Sequence, residues 1–313
     1  MKKITNKTHY EGYLFSHSLE AKVTGPDSKN PGTEYIRGRL NIATDAEGMN
    51  VVPINFSYVT ARTKAGKENP TYKVLMTIIN SENKTFETAG TDAYMLKIDS
   101  AIGVNDFYNA EDELVTVRQN DGGFVHIVNK VDFNNANSFE ADMLITNTIF
   151  KEADEDRNEG DVLTLKGCTC NFMGSLIPVD FAVRTPEGIK YFESLDISTS
   201  NPVFIKVWGE VVSTTIEAQT FEESAFGESS VKITTRSFRE WLISGAATQS
   251  YEFGDEAVLT AEEVSAAVAA RETYLAGQKA QHDAYIASRA ATSTPASNMA
   301  AVAPSAAPGE FKF

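Results

Sequence analysis

"VPINFSYVT", Val52 to Thr60, and "IPVDFAVRT", Ile177 to Thr185, share a pattern: proline second, phenylalanine fifth (Phe56, Phe181), threonine last, and apolar residues at every other place. Alternation with period two is the mark of a strand that buries one face. It predicts Ile54, Phe56 and Tyr58 on the core side of the first copy, with Asn55 and Ser57 opposite, and Val179, Phe181 and Val183 on the core side of the second. Pro53 and Pro178 suit a strand start or edge, because proline cannot donate to a sheet ladder.

The neighbourhoods of the two nonapeptides also agree. "YIRGRLNIATD" from Tyr35 and "VLTLKGCTCNF" from Val162 precede them, and "TYKVLMTII" from Thr71 and "KYFESLDI" from Lys190 come after. Further out, "YEGYLFSHSL" from Tyr10 matches "FEADMLITNTI" from Phe139, "AYMLKIDSAIGV" from Ala93 matches "VFIKVWGEVV" from Val203, and "LVTVRQNDGGFVHIV" from Leu114 matches "VKITTRSFREWLIS" from Val231. Six blocks in one order, offset by roughly 110–130 residues, indicate a duplicated domain. Short runs rich in Val, Ile, Thr, Tyr and Phe, broken by Gly, Asn, Asp and Pro, make each copy an all-β unit of about six strands. A small barrel of the oligonucleotide/oligosaccharide-binding (OB) type has that size, and a sandwich is the alternative.

The reading divides the 313 residues into a first OB-like domain, 1–130, a second, 131–254, a C-terminal helix, 255–291, and a tail, 292–313. The helix opens on a capping box, Thr260 with Glu263, and its apolar side, Val264, Val268 and Leu275, is thin enough that it docks lightly or projects. The Ala/Pro/Ser-rich tail is too poor in bulky residues to fold and is expected to be disordered up to its "EFKF" tip. No apolar run is long enough to span a bilayer and no leader stands at the start, which points to a cytoplasmic protein with no membrane partner.

Chemistry that turns over a substrate finds little support. His9, His17, His126 and His282 are dispersed, and Cys168 and Cys170, one residue apart, match neither a zinc site nor a disulfide framework. The acidic run Lys151 to Asp161 lacks the ligand spacing of a calcium loop. No cofactor, metal or catalytic residue is expected, and the chain reads as a non-enzyme.

The net charge of −15 argues against coating nucleic acid by bulk attraction. The charge is uneven, however: residues 1–129 hold 14 basic and 16 acidic side chains, 130–253 hold 10 and 20, and 254–313 hold 4 and 7. An anionic ligand therefore prefers the first domain. There "EYIRGRLNIA" sets Tyr35, Arg37, Arg39 and Asn41 on one strand face, with Ile36, Leu40 and Ile42 on the other. An aromatic ring beside guanidinium groups is how single strands are held, bases stacking while cations follow the phosphates. Arg62, Lys64 and Lys67 form a loop that could clamp the strand, and Lys73 and Lys97 add cations in the same domain. In the second domain Phe204, Lys206 and Trp208 alternate on one face, and Arg236 joins them.

Two β-barrels, a low-complexity linker and a short tip resemble the single-stranded-DNA-binding proteins of bacteriophage replication modules. That resemblance implies single-stranded DNA as partner, with RNA open, in replication or recombination in a bacterial host cytoplasm. It also implies a tail that recruits replication or recombination proteins through Phe311 and Phe313, although Lys312 interrupts a tip that is acidic elsewhere in that group. The competing reading is a structural or virion scaffolding protein whose duplicated domains pack on copies of themselves. A small enzyme or nuclease accessory domain is a third reading, and would need clustered carboxylates or histidines, which the sequence does not offer.

Overall fold

The structure, a computed structural model, describes residues 4–109, 111–153, 160–171, 174–222, 230–252 and 260–292, without side chains for 214–222, 230–238, Ala261 and 289–292. Its strands are β1 (Asn6–His17), β2 (Glu20–Val23), β3 (Glu34–Ala43), β4 (Val51–Thr60), β5 (Met95–Tyr108), β6 (Leu114–Val128), β7 (Asn137–Lys151), β8 (Val162–Cys170), β9 (Leu176–Val183), β10 (Val203–Glu222) and β11 (Ser230–Ala246). Helices α1 (Pro70–Ile79), α2 (Phe86–Ala89), α3 (Pro186–Glu193) and α4 (Ala261–Thr292) complete it.

The strands form one sheet in the order β10-β11-β9-β8-β7-β1-β5-β6-β4-β3-β2, and it closes on itself twice, by β1–β3 and by β10–β7. The first closure makes a five-stranded barrel, β1-β3-β4-β6-β5, in which only β4 and β6 run parallel. The second repeats it as β7-β8-β9-β11-β10, with β9 and β11 parallel. Both are Greek-key barrels of OB type with a helix between the third and fourth strands, so the duplication read from the nonapeptides is a duplication of topology.

That helix corrects the expectation of about six strands. "TYKVLMTII" lies in α1 and the start of "KYFESLDI" in α3. Asn69 caps α1 by accepting the Thr71 N–H at 3.1 Å, Pro70 holds its first turn, and Thr71, Leu75 and Ile78 are buried at helical spacing. Thr185 and Pro186 do the same for α3, where Ile189 and Phe192 are buried. An apolar run of eight or nine residues fits either period, and the preceding Asn-Pro and Thr-Pro decide for helix.

β1 joins the two barrels. Asn6 to Tyr10 pair with β7, Tyr13 to His17 with β3, and Thr8 to Tyr13 on the other edge with β5. The hand-over from one barrel to the other falls at Gly12, where a Cβ would sit 1.9 Å from the Ala43 carbonyl oxygen. Only glycine lets the end of β3 approach there. The joint buries one continuous core, which runs from Tyr10, Ile54 and Ile98 to Phe139, Phe181 and Trp241. Phe139, Phe181 and Trp241 form an aromatic cluster with centroids 5.0–6.0 Å apart.

Asparagine side chains continue the ladders past the ends of strands. Asn137 donates to the Val211 carbonyl at 2.7 Å and accepts its N–H at 3.0 Å. Asn50, from the first barrel, accepts the Ser213 N–H at 2.7 Å and donates to the same Val211 carbonyl at 3.1 Å. Asn6 brackets Ile102 in the same way and also reaches the Cys170 carbonyl of the second barrel at 3.1 Å.

The capping box at Thr260 and Glu263 forms as expected, with reciprocal bonds of 2.8 and 3.2 Å. The rest of α4 docks through charge more than through its thin apolar side. Arg271 donates to Asp106 at 2.8 Å, and Lys279 pairs with Asp112 at 2.6 Å and lies 5.2 Å above the Tyr108 ring. Among the described residues no helix is long and apolar enough to cross a membrane. The tail with Phe311 and Phe313, and residues 154–159 of the acidic run, lie outside the described residues.

Asn137→Ala strips the buried Val211 backbone of two partners. The expected loss is about 1–3 kcal/mol of unfolding free energy, read as a lower urea midpoint with an unchanged slope.

Candidate nucleic-acid interface

The outer face of β3 and β4 collects most of the residues singled out in the first domain. Ile36, Leu40 and Ile42 are buried in the core, and Tyr35, Arg37, Arg39 and Asn41 point away from it. On β4, Val52, Ile54 and Phe56 point inward as the alternation requires. The register then slips: Ile36 faces Val59 while Gly38 faces Phe56, so three steps on β4 oppose two on β3. A bulge of this kind reverses the facing of the residues beyond it. Val59 turns toward the core and Tyr58 turns out, 47% exposed. The expectation of Tyr58 beside Ile54 and Phe56 is thereby corrected.

Tyr58 meets Tyr35 on the outer face, ring centroids 4.7 Å apart and inclined at 42°. Gly38, at φ 127°, is required opposite the bulge, because a Cβ there would lie 2.2 Å from the Ser18 carbonyl oxygen. Along the same face Arg37 pairs with Glu20 at 3.4 Å, both side chains half exposed. Such a pair is weak and leaves the guanidinium open to a competing anion. Arg39 donates from Nε to Asn55 at 3.0 Å, and Asn41 donates to Ser16 at 2.9 Å.

The loop after β4 is ordered by its own backbone. Thr63 N–H donates to the Lys67 carbonyl and Gly66 N–H to the Thr63 carbonyl, both at 2.8 Å, with Gly66 at φ 75°. Arg62 Nη1 donates to the Gly66 carbonyl at 3.1 Å. Lys64 and Lys67 project from this turn, exposed and without a side-chain partner among the described residues. Between the loop and the segment before β3 runs an open groove lined by Tyr58, Arg62 and Lys64 together with Asn30, Thr33 and the acidic Glu34. Rings and cations thus converge where the sequence pattern set only the cations and one ring.

Other expected site residues stand apart. Lys73 is on α1 and paired with Glu68. Lys97, on β5, is held by Glu11 at 2.8 Å, and this bond keeps the Glu11 carboxyl below the usual carboxylate range. In the second barrel Lys206 is paired with Glu140 at 2.5 Å. Phe204, expected as a stacking platform, is buried at 2% exposure beneath Tyr251, centroids 5.2 Å apart, and beside Leu144. Trp208 is 41% exposed and lies over Gly245. Arg236 pairs through its backbone with Ile216, and its side chain lies outside the described residues. The residue that sequence reasoning missed is Tyr58, since a bulge leaves no mark in an alternating pattern.

Among the described residues no group of His, Cys, Asp or Glu is placed to hold a metal ion. Burial pushes the Cys168 thiol up to about 12 and the Cys170 thiol to about 11, which disfavours the thiolate of both at neutral pH.

The YorF family model matches residues 4–281, which covers both barrels and most of α4. The chain belongs to the YorF family. No curated protein matches the sequence. Among solved structures, this YorF-family chain is similar to a deletion mutant of the single-stranded DNA binding protein from Thermus aquaticus, at 10% identity and a TM-score of 0.47, over 81% of this chain and 98% of that one.

The burial of Phe204 predicts that Phe204→Ala costs about 3 kcal/mol of stability. Trp208→Ala, on the surface, changes the unfolding midpoint far less, and chemical denaturation of the two variants checks the difference.

Proposed function

We propose that this YorF-family chain binds single-stranded DNA and is not an enzyme, with the strand lying across the outer face of β3 and β4 of the first barrel. The observation that carries the reading is the outward-facing Tyr35–Tyr58 pair, Tyr35 half-buried and Tyr58 exposed, beside Arg37 and Arg39, with Lys64 and Lys67, unpaired among the described residues, on the loop that follows. Two rings within one strand face offer stacking to successive bases, which is available only when the bases are not already stacked in a duplex. Phosphates linking those bases would meet the arginines. A charge of −15, concentrated in the second domain, repels polyanions elsewhere and favours the face where cations are least matched by acids. The resemblance of the architecture to phage proteins extends the same reading to replication or recombination of a phage or mobile element.

Fluorescence anisotropy with labelled oligo-dT, oligo-rU and a duplex of equal length tests this. The expected result is binding of oligo-dT at micromolar protein or below, weakening with salt, and little binding of the duplex. Tyr58→Ala lowers the affinity about tenfold, the loss of one stacked base. Replacing Lys64 and Lys67 together by Ala lowers the slope of log affinity against log salt by about 1.4, two phosphate contacts on a single strand. Absence of any salt-sensitive binding at micromolar protein would sink the reading.

A further inference from the structure

The row Tyr35, Arg37, Arg39 does not end in solvent. Arg39 lines a cleft of about 230 Å³ between the barrels, together with Asn55 of β4, Arg118 and Val117 of β6, Phe107 of β5, and Arg239 and Trp241 of β11. The cleft is built on a buried polar joint. Asn120 accepts from the Tyr10 hydroxyl at 2.7 Å and donates to the Pro53 carbonyl at 3.1 Å, which fixes β6 against β4 at their short parallel pairing.

Three arginines from three strands face this cleft, and among the described residues acids pair with only one of them. Arg118 donates from Nη1 to Asp180 at 2.7 Å, and its guanidinium lies 5.6 Å from the Trp241 ring and 5.8 Å from that of Phe181. Its Nε is buried without a partner among the described residues. Arg239 makes no side-chain hydrogen bond or ion pair among the described residues, and the adjacent Glu240 is taken by Arg184 in two bonds of 2.7 and 2.9 Å. Arg39 has the neutral Asn55 as its partner. Partial burial of the guanidinium, and after it the nearby Arg39, holds Arg239 below its ordinary value while much of its side chain stays exposed, and burial does the same to Arg118. Three like charges gathered in a cleft where one is matched by a paired acid are a cost to the free protein that an anion reduces.

We propose that this cleft takes a backbone phosphate of the single strand bound on the first barrel, clamped between Arg39 and Arg239, so that the strand crosses from the first barrel to the second. Guanidinium forks match the oxygens of a phosphodiester. Phe107, 42% exposed on the rim beside Val117, offers a ring to the adjoining base. The second barrel then contributes through Arg239 and the surface past it, although Lys206 is neutralised and Phe204 is buried.

The proposal rests on the single-strand reading, and oligonucleotide length separates the two. An oligo-dT of about 8 nucleotides fits one barrel and one of about 40 exceeds both, given about 4–16 nucleotides for each OB fold. Anisotropy titrations of the full chain with both lengths, at several salt concentrations, are repeated with Arg239→Ala and with Phe107→Ala. Arg239 is exposed and has no partner among the described residues, so R239A is expected to keep the wild-type thermal midpoint. R239A should weaken the long strand about tenfold, more than the short one, and lower the long-strand salt slope by about 0.7. F107A should weaken the long strand without changing the slope. Equal effects of R239A on both lengths, or none on either, overturn the crossing while the first-barrel reading stands. Failure of the wild type to bind either length removes the reading on which the crossing rests.

Discussion

The pairing of β1 with β7 is the constraint on which the rest of the molecule depends. β1 spends its first half in a ladder with the second barrel and its second half closing the first, so neither barrel can shift along the other without breaking hydrogen bonds that hold its own wall. Strand ends that would leave backbone groups bare in this joint are finished by the amides of Asn6, Asn50 and Asn137. Buried backbone donors and acceptors left unpaired are costly, and a side-chain amide carries both a donor and an acceptor to meet them. The two cores thus become one, and the cleft with Arg39, Arg118 and Arg239 results from the fixed angle between the barrels.

Within that frame the copies have kept their interiors and diverged outside. Ile54 and Phe56 of β4 have counterparts in Val179 and Phe181 of β9, buried in equivalent barrels. The outer faces differ in charge pairing. In the second barrel Lys206 and Arg184 are matched by Glu140 and Glu240, whereas in the first Arg39, Lys64 and Lys67 meet no acid among the described residues. Packing tolerates little change in shape, while an exposed charge can be gained or neutralised at small cost in stability. A duplicated domain is therefore free to leave cations unpaired on the outside of one copy and to pair or cover residues on the other, as Tyr251 covers Phe204.

The order of matching blocks in the sequence corresponds to the order of elements in both barrels, and the capping box at Thr260 opens α4 as its residues require. "TYKVLMTII" passes for a strand because a short apolar run does not reveal its period, although Asn69 and Pro70 hold the cue. Tyr58 falls on the core side of the pattern because alternation assumes an unbroken register, and the bulge opposite Gly38 breaks it. Lys73, Lys97 and Lys206 look like ligand cations because their acids, Glu68, Glu11 and Glu140, become neighbours only through a loop, a cross-strand pair or a ladder between β7 and β10.

By itself the sequence determined the all-β class, the duplication and the terminal helix, together with the face on which Tyr35, Arg37 and Arg39 lie. These come from period-two patterning, turn residues and caps, which act between near neighbours in the chain. Tertiary structure alone decided that Tyr58 joins Tyr35, that several lysines are neutralised, and that Arg39, Arg118 and Arg239 meet across the barrels. Those outcomes depend on register and on contacts between residues up to two hundred positions apart, where each charge or ring takes its meaning from a neighbour that local pattern does not name.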